Sequence, residues 1–258
     1  MYHSCLLIDV GRDPDRPRPG RLWLRNRYHV HQRLCMAFPS DPRKTADPEF
    51  LQPFKPEDFA REIDGAPQVR VERRPNAGFL FRIDRHPSGA VVIIVQSAVR
   101  PDWEYAFHNV KHLLKPEHLL AAEAAVREFD PSFTNGDSLR FRLTANPTRK
   151  IDTKTGPDGK KNHGRRVPVR ADGLYNWLAR KGAANGFSVG EGAVVIQTGY
   201  AYAKKPTDRE GQKLFAVSYE GRLTVTDAAR FREALIQGIG SAKGYGFGLL
   251  SAVPAGGN

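Results

Sequence analysis

The sequence predicts an α+β protein made of two βαββαβ units in tandem. Three observations carry that prediction. Apolar and polar residues alternate in several short runs, as half-buried strands require. Helical spacing and turn chemistry separate those runs in the order β-α-β-β-α in the first half and β-α-β-β-α-β in the second. The chain has 258 residues, enough for one large domain or two small ones. The units are placed at residues 1–134 and 135–258, and the element order implies a pair of ferredoxin-like folds.

The first strand is expected over residues 2–10, and the Pro-, Arg- and Asp-rich residues 11–20 form a loop. A helix follows with Asn26 as its N-cap. Val30, Leu34, Ala37 and Phe38 recur at helical spacing toward a core, and Pro39 ends the run. Residues 40–67 form an irregular Pro-rich, acidic insertion with a short helix at 56–63. Residues 78–83 and 90–97 make a hairpin across the turn His86-Pro87-Ser88-Gly89, and 113–129 holds a helical stretch.

In the second half, residues 139–145 alternate as a strand and 172–181 form a helix. Strands are expected at 193–202 and 213–225, a helix at 227–237 capped by Thr226 or Asp227, and a final strand at 247–253.

Charge supplies the first functional clue. Lys and Arg number 40 against 28 Asp and Glu, a net charge of +12, and a basic surface concentrates polyanions. The excess gathers between residues 139 and 170, where Arg140, Arg142, Arg149, Lys150, Arg165 and Arg166 stand among further lysines opposed only by Asp152 and Asp158. Residues 153–164 in that stretch are Gly- and Lys-rich, a loop that could order on a ligand. The two cysteines, Cys5 and Cys35, are too sparse for a disulfide scaffold or a cysteine-rich zinc site. No apolar run reaches a membrane span and residues 1–10 lack a signal peptide's pattern, so the expected location is the cytoplasm.

Two segments carry chemistry. Tyr28 and His31 are i and i+3 on the predicted helix, so their side chains are neighbours, with His31 at the edge of the apolar stripe. Imidazole exchanges protons near neutral pH, and the Tyr28 phenol is a neutral hydroxyl able to orient a reacting group. Alone, a histidine at a helix edge is usually structural. Near the C-terminus stands Gly238-Ile239-Gly240-Ser241-Ala242-Lys243-Gly244-Tyr245-Gly246-Phe247-Gly248. It follows a helix and precedes a strand, the reverse of a dinucleotide fingerprint, and it is no GxxxxGK[ST] loop. What it offers is backbone amides and Lys243, a combination suited to phosphate, or a close-packed helix-to-strand turn. No carboxylate constellation marks a metal-dependent nuclease, and no HExxH motif accompanies His108, His112 and His118. No metal or other cofactor is expected.

Five segments in order resemble one known family. These are Tyr28-His29-Val30-His31-Gln32-Arg33-Leu34, Leu139-Arg140-Phe141-Arg142-Leu143-Thr144-Ala145-Asn146-Pro147, Arg165-Arg166-Val167-Pro168, Tyr219-Glu220-Gly221-Arg222-Leu223-Thr224-Val225 and the closing 238–251 stretch. Together they are similar to the CasE family, the CRISPR RNA-processing endoribonucleases of type I-E Cascade. Residues 40–67 are long for that family and the 153–164 loop is this chain's own.

The resemblance implies tandem ferredoxin-like domains and metal-independent cutting of precursor CRISPR RNA at the base of a repeat hairpin. It implies that the family's Tyr-x-x-His pair falls on Tyr28 and His31. It also implies that the protein keeps the processed hairpin and sits in Cascade beside the backbone subunit CasC. In that chemistry the RNA's own 2′-hydroxyl attacks, His31 serves as base or acid, Tyr28 positions, and Lys243 stabilises charge. The products are a 2′,3′-cyclic phosphate and a 5′-hydroxyl. Arg140, Arg142, Arg149, Lys150, Arg165 and Arg166, with the loop glycines Gly240 and Gly244, would hold the hairpin. The rivals are a hairpin-binding subunit that does not cut and a structural protein whose basicity is incidental.

Overall fold

The computed structural model describes residues 1–11, 18–52, 78–85, 89–115, 126–150 and 166–255. The arrangement is α+β with antiparallel sheets. The strands are β1 (Tyr2–Ile8), β2 (Phe79–Arg85), β3 (Val91–Ser97), β4 (Val126–Glu128), β5 (Ser138–Ala145), β6 (Thr148–Lys150), β7 (Arg166–Pro168), β8 (Phe187–Ser188), β9 (Val194–Ala203), β10 (Gln212–Val225) and β11 (Leu250–Pro254). The α-helices are α1 (Pro19–Arg25), α2 (Arg27–Cys35), α3 (Asp41–Ala46), α4 (Trp103–Phe107), α5 (Leu174–Ala184) and α6 (Ala228–Gln237).

One sheet runs β2-β3-β1-β4 and another β11-β5-β10-β8. By place within its own half, each has its first and third strands in the centre and its second and fourth at the edges. That is the ferredoxin-like order, and it appears twice. Contacts group Met1–Pro131 with Ala201–Lys213 and Lys243–Leu249 in one compact unit, and Ser132–Tyr200, Leu214–Ala242 and Leu250–Asn258 in a second.

In the first unit, Leu6, Ile8, Phe81, Ile93 and Val95 bury one sheet face against Val30, Leu34 and Phe38. Each such side chain contributes roughly 1.5–3 kcal/mol. In the second, Leu139, Phe141 and Leu143 of β5 pack with Val217, Tyr219 and Leu223 of β10 against Trp177, Leu178 and Phe231. Strand β5 alternates exposed and buried residues along its length, as its sequence predicts.

Caps set the helix boundaries. Asn26 caps α2, Asp102 caps α4 and Asp227, not Thr226, caps α6, each accepting a hydrogen bond from a first-turn amide. Gly238, at φ +70°, ends α6.

Several expectations shift. Pro19 opens a separate helix α1, where a loop leading straight to α2 was expected. Helix α2 ends at Cys35, before Pro39. Within 113–129, Val126–Glu128 is a strand, while 116–125 lies outside the described residues. Helix α4 and the 3-10 segment His108–Leu113 go beyond the expected elements. The second strand of the second ferredoxin unit is the two-residue β8; β9 is an added strand that pairs with β10. The last strand begins at Leu250, because Gly246 and Gly248 have positive φ and break the extended run. The proposed helix at 56–63, the 153–164 loop, His118 and most of the first hairpin's turn lie outside the described residues.

Candidate active site

Helix α2 carries the candidate chemistry, and its start is fixed by Asn26. The Asn26 Oδ1 accepts from Tyr28 N–H at 3.1 Å. The Tyr28 hydroxyl accepts from Gln32 Nε2 at 3.2 Å, one turn on. His31 lies one turn from Tyr28, partly exposed at the edge of the buried stripe of Val30, Leu34 and Cys35.

The His31 ring is held by stacking and at its edge. It stacks on Phe79 at 5.5 Å and on Phe81 at 6.4 Å, both from β2. Its Nε2 lies 3.6 Å from the Cys35 Sγ. Burial pushes the Cys35 thiol up, so it stays protonated as a weak donor. The His31 Nδ1 is buried with no hydrogen-bond partner among the described residues. Burial first, and then the charge of Lys205, push the imidazole down to about 4. At neutral pH the ring is therefore uncharged, with one nitrogen carrying N–H and the other able to accept a proton, and its tautomer decides which is which.

The glycine-rich segment comes to this ring. A short 3-10 turn, Lys243–Tyr245, lies over α2, and a Cβ built on Gly244 would stand 3.8 Å from His31 Cε1. Gly246, at φ +81°, comes closer still to its neighbours. A Cβ there would meet Phe81 Cε2 at 2.8 Å and Arg27 Nη1 at 3.2 Å, so only glycine fits. The segment's end is tied down by Arg82 of β2. Its guanidinium donates to Leu249 O at 3.3 Å while pairing with Asp84 at 2.7 Å.

Two residues that the sequence did not single out belong here. Arg27, on the same face one turn before His31, buries Nη1 without a hydrogen-bond partner among the described residues; burial and the nearby Arg85 lower it to about 10, still charged at pH 7. Lys205 stands on the exposed tip after β9 and acts on His31 from there. Its distance along the chain hid it.

Tyr28, His31, Lys243 and Gly244 thus fall in the first unit. The other predicted residues lie in the second. Gly240, at φ +90°, packs on the Trp177 ring. Arg140 and Arg142 are on the face of β5 away from the core. Arg142 pairs with Glu220 at 3.0 Å. Arg140 stands directly opposite Arg222 of β10, which the sequence reasoning did not pick. Arg149 and Lys150 are exposed on β6, and Lys150 stands directly opposite Arg166 of β7. Arg165 lies outside the described residues. Like charges facing across strands cost free energy, so two such pairs describe a surface suited to a polyanion.

Comparison with known proteins identifies the family. A family model described as "CRISPR associated protein" matches residues 1–254. The CRISPR-associated endoribonuclease Cse3 of Thermus thermophilus is 30% identical over 173 residues, 63% of this chain and 73% of its own. The CRISPR system Cascade subunit CasE of Escherichia coli is 29% identical over 244 residues, 91% of this chain and 96% of its own. The solved structure of endoribonuclease Cse3 bound to a 19 nt RNA aligns with a TM-score of 0.65 at 25% identity, covering 98% of this chain and 100% of that one. Cas6e from Escherichia coli shares the fold, with a TM-score of 0.60 at 24% identity over 98% of this chain and 100% of its own. With the match spanning both ferredoxin-like units, this chain belongs to the CRISPR-associated protein family.

Proposed function

We propose that the protein is an endoribonuclease that cuts precursor CRISPR RNA at the base of its repeat hairpin and then keeps the hairpin as a Cascade subunit. The observation that carries this reading is the His31 imidazole. It stacks on Phe79, its Nδ1 lacks a partner among the described residues, and burial holds it below the ordinary imidazole range. The Tyr28 hydroxyl is one turn away, and Lys243 is on the turn above. A buried polar atom left unpaired in a well-packed site is commonly reserved for a ligand or a proton. The relatives' names agree: one is an endoribonuclease, another a Cascade subunit.

The reaction is an internal transesterification. His31 takes the proton of the RNA's 2′-hydroxyl as its oxygen attacks phosphorus in line with the departing 5′-oxygen. The bond to the 5′-oxygen breaks, leaving a 2′,3′-cyclic phosphate and a 5′-hydroxyl. The phosphate's negative charge offsets the Lys205 effect and makes His31 a stronger base once RNA is bound. Tyr28 orients the hydroxyl or a phosphate oxygen, and Lys243 stabilises the charge that builds on phosphorus. These residues supply the proton transfer and the charge stabilisation, so the step needs no metal.

Arg140, Arg142, Arg149, Lys150, Arg165, Arg166 and the amides of Gly240 and Gly244 hold the stem by its phosphates. A-form RNA offers side chains little in its deep major groove. Within Cascade the neighbour is the backbone subunit CasC. The compartment is the cytoplasm, in keeping with two cysteines that stay free; no described helix is long and apolar enough to cross a membrane.

The test is to incubate the genome's own CRISPR repeat RNA with the protein in EDTA. Cutting should persist, a 2′-deoxy substitution at the cut site should bind and stay whole, and His31→Ala should not cut. Binding without cutting by the unmodified protein would instead make the chain a hairpin-holding subunit.

A further inference from the structure

We infer that Asn26 is a positioning residue for the cleavage, which pins the tip of the β9–β10 hairpin to the start of helix α2 and so sets Lys205 beside His31. This rests on the endoribonuclease reading. Its Nδ2 donates to Lys204 O at 2.9 Å, and its Oδ1 accepts from Lys204 N–H at 3.0 Å. One side-chain amide thus pairs both ways with one backbone residue, as a neighbouring strand would. The same Oδ1 also caps α2 through Tyr28 N–H. Asn26 therefore has two separable duties, one to its helix and one to a segment 178 residues away.

The tip closes on itself through its own backbone. Lys205 N–H donates to Asp208 Oδ2 at 3.3 Å and Asp208 N–H donates to Lys205 O at 3.1 Å, which closes the turn on itself. The side chains of Lys204 and Lys205 are exposed. The amide pair ties that turn, and with it the ammonium that acts on His31, to the residue two before Tyr28. On this inference Lys205 joins Lys243 in offering positive charge to the reacting phosphate, a gain in the transition state that outweighs its lowering of the His31 basicity, and a shift of about 1 Å in such a group can cost on the order of a hundredfold in rate.

Serine separates the duties. Asn26→Ser keeps an N-cap oxygen of nearly equal worth but is too short to pair with Lys204 O and carries no N–H donor. The expected melting temperature stays within about 2 °C of the parent, because the cap survives. Affinity for the 2′-deoxy repeat hairpin should change less than about threefold, and the single-turnover cleavage rate at saturating RNA should fall at least about tenfold. Lys205→Ala should lower the rate by a similar factor, and adding it to Asn26→Ser should lower it little further, since both remove one interaction.

A single-turnover rate within about twofold of the parent would overturn the inference. So would a rate loss that vanishes when corrected for the fraction folded, or fully multiplicative losses in the double variant. If the parent protein does not cut, the endoribonuclease reading falls and this inference with it; a cutting parent with an equally fast Asn26→Ser variant sinks this inference alone.

Discussion

Helices α2 and α5 hold the same place in their two units, each leading from the unit's first strand to its second, yet their residues are put to opposite uses. Helix α5 is committed to packing. Leu174, Trp177 and Leu178 are buried, Trp177 stacks on Tyr219 at 6.0 Å, and the Tyr175 hydroxyl donates to Val189 O. Helix α2 buries polar atoms and leaves them without partners among the described residues, at His31 Nδ1 and Arg27 Nη1. On the proposed function, one duplicated scaffold carries a structural helix and a reactive one, and the difference lies in where hydrogen-bond capacity is left unused. The sharpest way to break that contrast is His31→Ala. General acid–base groups contribute about 10²–10⁴-fold, so single-turnover cleavage should fall by at least two orders of magnitude while hairpin affinity stays within a few fold. A His31→Ala variant that still cuts would make α2 as structural as α5.

The converse experiment is Trp177→Ala. Removing a fully packed indole should cost about 3–5 kcal/mol of stability, read as a large fall in the denaturation midpoint. Cleavage per folded molecule should stay close to that of the parent. A variant that remains stable but loses chemistry would erase the distinction.

Acid should expose the same asymmetry. His31 sits at about 4 when folded against 6.5 when unfolded, so between those values the unfolded chain binds more protons. Its stabilising contribution is complete above pH 6.5 and drains away as pH falls toward 4, by up to about 3 kcal/mol. His3, lowered chiefly by burial, acts in the same sense. Denaturation midpoints measured from about pH 7 down to about pH 4 should decline in the parent and decline less in His31→Phe. Parallel curves would mean that the imidazole is better solvated than its surroundings suggest.

The contrast also marks how far the sequence could be read. Strands β1, β5 and β10 and the β2–β3 hairpin were legible because their burial alternates or runs unbroken between turn residues. Helix α6 was legible from Asp227 and Gly238 at its ends. Strand β8 was not, since two residues hold no period, and the longer β9 took its place in the predicted order. Helix α4 is five residues long, and its signal, Asp102 before Trp103 and Glu104, is too brief to stand out. At the candidate site, spacing alone made Tyr28 and His31 neighbours; their proposed chemistry came from the family resemblance. Lys205 and the Asn26 pairing depend on contacts between distant parts of the chain, which no local pattern encodes.

The smallest effect is expected on the second unit's sheet, where Arg140 and Arg222 face each other in register. In the RNA-free protein this pair is a liability of about 0.2–1 kcal/mol, whereas Arg142 beside it is answered by Glu220. Arg222→Gln should therefore stabilise the RNA-free protein slightly, by a few tenths of a kcal/mol. If the pair is kept for phosphate, the same change should weaken hairpin binding evenly across stem sequences and lower the slope of log affinity against log salt by about one. Neutralising Arg142 should do less to that slope, because part of its charge is already spent on Glu220. Gain in stability with no change in salt dependence would show that the repulsion serves nothing on this face, and that the grip on RNA lies with Arg149, Lys150 and Arg166 instead.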